Sequence, residues 1–297
     1  MIFILGNTWH YLSHKEHFKT ASASVYSGHF DTYFTYGGYD LNQVLDDFLM
    51  YNFTKSTWIS INNTLPGPLF EHTMTLLPDD KSFVIFGGKS QNGSVSNKLW
   101  HYSISSNKWT LKAQNSLTQP PGLTKHTLTS AGDYLYLFGG SLEQSGFSNQ
   151  MYRIDSSNLT EWEKLKPKGK MSELYVTGHS MVYYEESDSM LLFGGLRSDV
   201  RRFAELSDLT FQFDVKSQTW VRLQLDKYSV ERNYVPAERA FHSAQIMGNY
   251  MVVFGGFSHK HNQVEACQDK NLYFFHLGCM TWVRIFLFAV LPISMRS

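Results

Sequence analysis

Cysteine is nearly absent from this chain: Cys267 and Cys279 are the only two in 297 residues. Two are too few for a disulfide framework, and their spacing does not fit a zinc site built from two cysteine pairs. A surplus of one charge is also missing. The 26 Lys and Arg balance 26 Asp and Glu, and neither sign forms a long run, which speaks against nucleic acid or a membrane surface as a partner held by bulk charge. Long apolar runs are lacking too. The stretch from Ile285 to Val290 is soon broken by Pro292 and falls far short of the ~20 residues that cross a bilayer. Ile2 to Leu5 has no basic leader, full-length apolar region or cleavage site, so neither a signal peptide nor a membrane span is expected. No Gly-x-Ser-x-Gly elbow, phosphate-binding glycine loop or His-Glu-x-x-His helix occurs, so no catalytic residue, metal or cofactor is expected.

What the chain does have is aromatic residues, 15% of the total, with helix formers concentrated nowhere, a balance that suits strands whose large side chains fill a core. It also has a period. An apolar run ends in a glycine doublet five times, at Gly37-Gly38, Gly87-Gly88, Gly139-Gly140, Gly194-Gly195 and Gly255-Gly256, with first glycines 50, 52, 55 and 61 residues apart. After each doublet come a polar loop, an aromatic-rich stretch and a tryptophan. Tyr51 and Trp58, Tyr102 and Trp109, Phe213 and Trp220, and Phe275 and Trp282 are each seven apart, while Ile154 and Trp162 are one further. A histidine precedes each doublet, at His72, His126, His179 and His242 by thirteen or fifteen residues, and at His17 by twenty. The first unit therefore carries an insertion or a different register.

A period near 50 with this content predicts four-stranded blades, each packed on its neighbours through both faces of the sheet. The tryptophans and third-strand aromatics wedge between blades, and the glycines allow a backbone approach that a side chain would forbid. All of these, and the recurring histidines, read as structural, because a catalytic group is needed once and not in every blade.

The Gly-Gly, Tyr, Trp pattern resembles the kelch family. The expected fold is all-β, a kelch-type β-propeller of five full four-stranded blades plus an N-terminal half-blade, six-bladed when complete. Blade units fall at about 1–12 (partial), 13–62, 63–115, 116–167, 168–226 and 227–284, with an atypical apolar tail over 285–297. Ile2 to Trp9 matches the third and fourth strands of a blade. More narrowly, Gly178-His179-Ser180-Met181-Val182-Tyr183, Glu238-Arg239-Ala240-Phe241-His242 and Phe275-His276-Leu277-Gly278-Cys279 followed by Trp282-Val283 resemble the propeller of the attractin and multiple EGF-like domains protein 8 group. That resemblance implies a cell-surface signalling glycoprotein with the propeller outside, acting for example on hedgehog reception, and a bridge between Cys267 and Cys279. A six-residue strand between the two would have to be folded back upon for that bridge to close.

Four sequons, at Asn52, Asn62, Asn92 and Asn158, lean the same way, since they are acceptors for N-glycans in an exported chain. Loop length directs attention to blades four and five, where Arg197, Arg201, Arg202, Arg232, Arg239, His259 and His261 face several glutamates and predict a mixed-charge rim for recognition. As a metal site, His259 and His261 with Glu265 and Cys267 are outweighed by a solvated loop. The expected function is non-enzymatic binding of a protein, such as a cell-surface receptor or glycoprotein. The alternative is an intracellular kelch adaptor that recruits substrates to a ubiquitin ligase.

Overall fold

The computed structural model describes residues 2–5, 8–11, 19–40, 42–62, 65–114, 116–144, 146–169, 175–197, 210–223, 235–258, 267–268 and 271–283, with backbone alone at 2–5, 8–11, 258 and 267–268. Five antiparallel sheets follow one another, each with its strands in chain order from the inside out. Blade I comprises Ala23–Ser27, Thr32–Tyr39, Val44–Asn52 and Thr57–Ser60. Blade II comprises Thr73–Leu76, Ser82–Phe86, Leu99–Ser103 and Lys108–Lys112. Blade III comprises Thr127–Ala131, Tyr134–Phe138, Met151–Asp155 and Trp162–Lys164. Blade IV comprises Ser180–Tyr184, Ser189–Phe193, Thr210–Asp214 and Thr219–Arg222, with Lys168–Gly169 added parallel to its last strand. Blade V comprises Ser243–Met247, Tyr250–Phe254, Leu272–His276 and Thr281–Val283. At the N-terminus, Ile2–Leu5 pairs with Thr8–Tyr11 as a hairpin.

The first strands of blades I to V lie against one another in turn, so they line a central channel while the fourth strands lie outermost. Strands buried on both faces lose the in-and-out alternation of a one-sided sheet. Ser82–Phe86 and Ser189–Phe193 are buried at every residue. The first strand of blade V instead shows alternation and exposure, with Met247 62% exposed, because no described blade covers it.

Each of the four seams holds one apolar cluster: blades I and II share Phe34, Tyr36, Phe83 and Trp109, blades II and III Phe86, Leu137 and Trp162, blades III and IV Phe138, Met190 and Trp220, and blades IV and V Phe193, Met251 and Trp282. The tryptophans wedge as expected. The rings of Trp109, Trp162, Trp220 and Trp282 lie 5.8, 5.3, 5.0 and 5.1 Å from Tyr36, Phe86, Phe138 and Phe193, which immediately precede the glycine doublet of the preceding blade. Burying one such side chain contributes roughly 1.5–3 kcal/mol. Trp58, in blade I, meets only Tyr33 and Tyr51 of its own blade among the described rings and is half-buried.

Candidate functional site

Between blades, the recurring residues form one repeated joint. The second glycine of a doublet donates its N–H to a carbonyl of the next blade: Gly38 to Leu69 at 2.8 Å, Gly88 to Leu123 at 2.9 Å, Gly140 to Val176 at 2.8 Å and Gly195 to Arg239 at 2.8 Å. Three residues after each acceptor comes that blade's histidine, whose ring packs on the aromatic before the doublet, as His126 does on Phe86 at 5.4 Å and His242 on Phe193 at 5.2 Å. Glycine is required here on two counts. Gly139 has φ +66°, and a Cβ there would sit 2.6 Å from His179 Cε1 and 2.8 Å from the Val176 carbonyl oxygen. Gly255, which no described blade follows, has φ +71° and nothing within 4 Å.

Hydroxyls close the joint. Oγ1 of Thr73 lies 2.9 Å from Nε2 of His126, Oγ1 of Thr127 3.1 Å from Nε2 of His179, and Oγ of Ser180 2.8 Å from Nε2 of His242. At the corresponding place in blade I stands Ala23, so Nε2 of His72 lacks a hydroxyl partner. The four imidazoles are held down to a pKa of about 3, chiefly by burial, with smaller contributions from neighbouring cationic groups such as Lys19 beside His72 and Arg239 beside His242. They are neutral structural groups, as the repetition suggested. In blade I the position belongs to Ser22, against whose Cβ Gly38 packs as Gly88, Gly140, Gly195 and Gly256 pack against those of His72, His126, His179 and His242. His17, placed in this series by its distance along the chain, lies outside the described residues, and it is Ser22 that holds the position in blade I.

The residue just before each of these positions differs in every blade: Ala21, Glu71, Lys125, Gly178 and Phe241. All five have φ between +55° and +65°, with Lys125 at +55°, Ala21 at +56°, Glu71 at +58°, Phe241 at +60° and Gly178 at +65°. Their backbones hydrogen-bond in sequence around the mouth of the channel, Glu71 N–H to the Ala21 carbonyl (2.9 Å), Lys125 to Glu71 (3.0 Å), Gly178 to Lys125 (2.9 Å) and Phe241 to Gly178 (2.7 Å). Left-handed backbone at non-glycine residues costs of order 1 kcal/mol each and persists only where the surroundings impose it. The arc that imposes it holds out side chains that the fold does not otherwise specify. Lys125 Nζ is 3.2 Å from Glu71 Oε1 and 5.7 Å from the centre of the Phe241 ring. Phe241 is 49% exposed and lies over Gly178, where a Cβ would come within 2.5 Å of it. Tyr39 and Phe70, at 6.0 Å, continue the aromatic lining over blades I and II. Sequence reasoning passed over Glu71, Lys125 and Phe241; the available signal was variation at one position inside an otherwise repeating motif.

The rim residues named from the sequence are distributed differently. Arg197 is half-buried and pairs with Val176 beside the mouth. Arg239 is not on a rim: it is 1% exposed, donates Nε–H to the Ala237 carbonyl at 3.0 Å and Nη1–H to that of Gly255 at 2.8 Å, and lies 4.7 Å from the Tyr273 ring centre. It occupies the place of Leu69, Leu123 and Val176, all buried in their own blades. Arg201, Arg202, Arg232, His259 and His261 lie outside the described residues. Cys267 pairs with Ser258 before the strand Leu272–His276, and Cys279 follows that strand and is exposed. Among the described residues no group of three or more His, Cys, Asp or Glu could hold a metal ion, and no helix is long and apolar enough to cross a membrane.

Five sheets radiating from a channel, joined by glycine doublets, histidines and tryptophans, define a kelch-type β-propeller. The family model described as Attractin/LZTR1 beta-propeller matches residues 33–291, and the chain belongs to that family. It is 36% identical over 254 residues to the multiple epidermal growth factor-like domains protein 8 of Mus musculus, and 37% to that of Homo sapiens, covering 84% of this chain and 9% of each relative. Host cell factor 2 of Homo sapiens is 26% identical over 75% of this chain and 29% of its own length. The solved structure of YjhT superimposes with a TM-score of 0.67 at 14% identity, covering 89% of this chain and 83% of that one, a likeness of fold alone. The chain spans about a tenth of the length of these multiple epidermal growth factor-like domains protein 8 relatives and is a protein-interaction module of this family.

Proposed function

We propose that this propeller is the recognition module of a cell-surface signalling protein, that it works outside the cell, and that a protein partner docks at the channel mouth. The observation that carries the docking site is the arc of Glu71, Lys125, Gly178 and Phe241, where strained backbone and a half-exposed aromatic beside a cation stand in a position that the repeat leaves free. Aromatic anchors with a charged neighbour are the residues on which interface energy concentrates. The exterior setting is supported by the identity with multiple epidermal growth factor-like domains protein 8 over most of the chain, and the part played there is modulation of signalling such as hedgehog reception.

Binding of the purified, fluorescently labelled propeller to intact cells tests both statements. Saturable binding is expected, weakened about tenfold by Phe241→Ala or Lys125→Glu and unchanged by Lys216→Glu, in the turn between the third and fourth strands of blade IV on the opposite face. Equal loss with all three variants would remove the mouth as the site. No saturable binding on any of a panel of cell types would favour the intracellular adaptor.

A further inference from the structure

We infer that Asn92 and Asn158 are N-glycan attachment sites, and that their glycans leave open the part of the channel mouth formed by blades III to V. The inference rests on the exterior setting proposed above. In both, the side chain is exposed and the residue two further on donates twice to Oδ1. Ser94 gives its N–H at 3.1 Å and its hydroxyl at 2.8 Å to Asn92, and Thr160 gives its N–H at 3.1 Å and its hydroxyl at 3.0 Å to Asn158. A further donor to Asn92 Oδ1 is the Ser90 hydroxyl at 2.5 Å. The turns therefore use only the carbonyl side of each amide among these bonds, and Nδ2, the atom that takes the sugar, can be substituted without undoing them. Transfer forms a bond from Nδ2 to the anomeric carbon of a lipid-pyrophosphate-linked oligosaccharide. The bond from that carbon to the pyrophosphate oxygen breaks, the lipid pyrophosphate leaves, and Nδ2 gives up one proton.

Asn52 differs. It is half-buried at the end of a strand, paired with both Thr32 and Thr57, and its Oδ1 caps the turn by accepting the Lys55 N–H at 2.8 Å while the Thr54 hydroxyl plays no part in holding it. The Thr64 of the Asn62 sequon lies outside the described residues. The two favoured sites fall on opposite faces. Asn158 is in the turn between the third and fourth strands of blade III, at the end of the blade away from the mouth. Asn92 is in the loop between the second and third strands of blade II, on the mouth face but to the side of Lys125 away from Phe241. A glycan at each would cover the back of blade III and the blade II side of the mouth, leaving Phe241, Arg197 and the blades that carry them accessible.

The test is to express the chain behind a cleavable secretion leader and to measure intact mass of all lumen-protected and secreted material before and after an amidase that removes N-glycans. Two glycans are expected. Asn92→Gln and Asn158→Gln should each remove one, Thr160→Ala should remove the Asn158 glycan, and Thr160→Ser should keep it. A bare polypeptide mass in the lumen-protected fraction, or glycans carried only at Asn52 or Asn62, would overturn the inference. Failure of the cell-binding experiment above would instead overturn the exterior reading and leave this mass result standing, so the two are separable.

Discussion

The seam between blades I and II and the three seams that follow it are built from the same parts with one difference. Thr73, Thr127 and Ser180 each meet a histidine ring of the next blade, whereas Ala23 offers His72 nothing. In compensation the first seam is the most aromatic: Phe34, Phe48, Phe83, Tyr102 and Trp109 pack ring on ring, as between Phe48 and Tyr102 at 4.9 Å and Phe83 and Tyr102 at 4.9 Å. A propeller joint can thus be closed by a buried polar contact or by more apolar area. The histidine packs its ring on the preceding blade's aromatic in all four seams, and adds a polar contact only where the facing residue of that blade is a hydroxyl.

Acid should affect the seams most. With the four histidines depressed from 6.5 to about 3 in the fold, the unfolded chain binds protons that the native one refuses. Their contribution is complete above about pH 6.5 and is lost as pH falls toward 3, at roughly one to two kcal/mol per pH unit for each histidine. The urea midpoint should fall steeply between pH 7 and pH 5, and His126→Gln should make that slope shallower even as it lowers the midpoint at pH 7. An unchanged slope would contradict the assignment of His126 as a buried neutral ring.

Next in size is the contrast between a closed joint and an open one. Gly139→Ala should cost about 3 kcal/mol, because strain at positive φ adds to overlap with Val176 and His179, while Gly255→Ala should cost about 1 kcal/mol from φ alone. Equal costs in urea titrations would mean that the glycines matter only for conformation. Smaller still, Thr127→Val leaves Nε2 of His179 buried without its hydroxyl and should cost about 1–2 kcal/mol. The converse change, Ala23→Thr, should raise stability by up to about 1 kcal/mol by giving His72 the partner that the other seams have; a loss would show that the aromatic packing of the first seam leaves no room for it.

Much of this was legible in the sequence. The doublets, tryptophans and third-strand aromatics repeat, and repetition identifies blades because each must solve the same packing problem. The errors share a cause, which is that distance along the chain and residue type were used where strand register decides. His17 was counted in the series by its distance along the chain, whereas Ser22 holds the place. Arg239 has the side chain of a surface residue but stands where three other blades bury Leu69, Leu123 and Val176, and alignment of the repeats on their histidines would have placed it inside. For the mouth the useful signal was the reverse of repetition: five different residues in one backbone conformation, at the one position of the motif that packing does not constrain. Asn52, Asn62, Asn92 and Asn158 looked alike as sequons, and only the turns that contain them set two apart.

The central claim is that neutral, hydroxyl-bound histidines lock the blades, and site-resolved NMR titration of the imidazoles tests it most directly. The account predicts that His126, His179 and His242 keep neutral chemical shifts as pH falls through 6.5, and take up protons only as the native spectrum disappears. Titration of these rings near pH 6.5 with the native spectrum intact would contradict it.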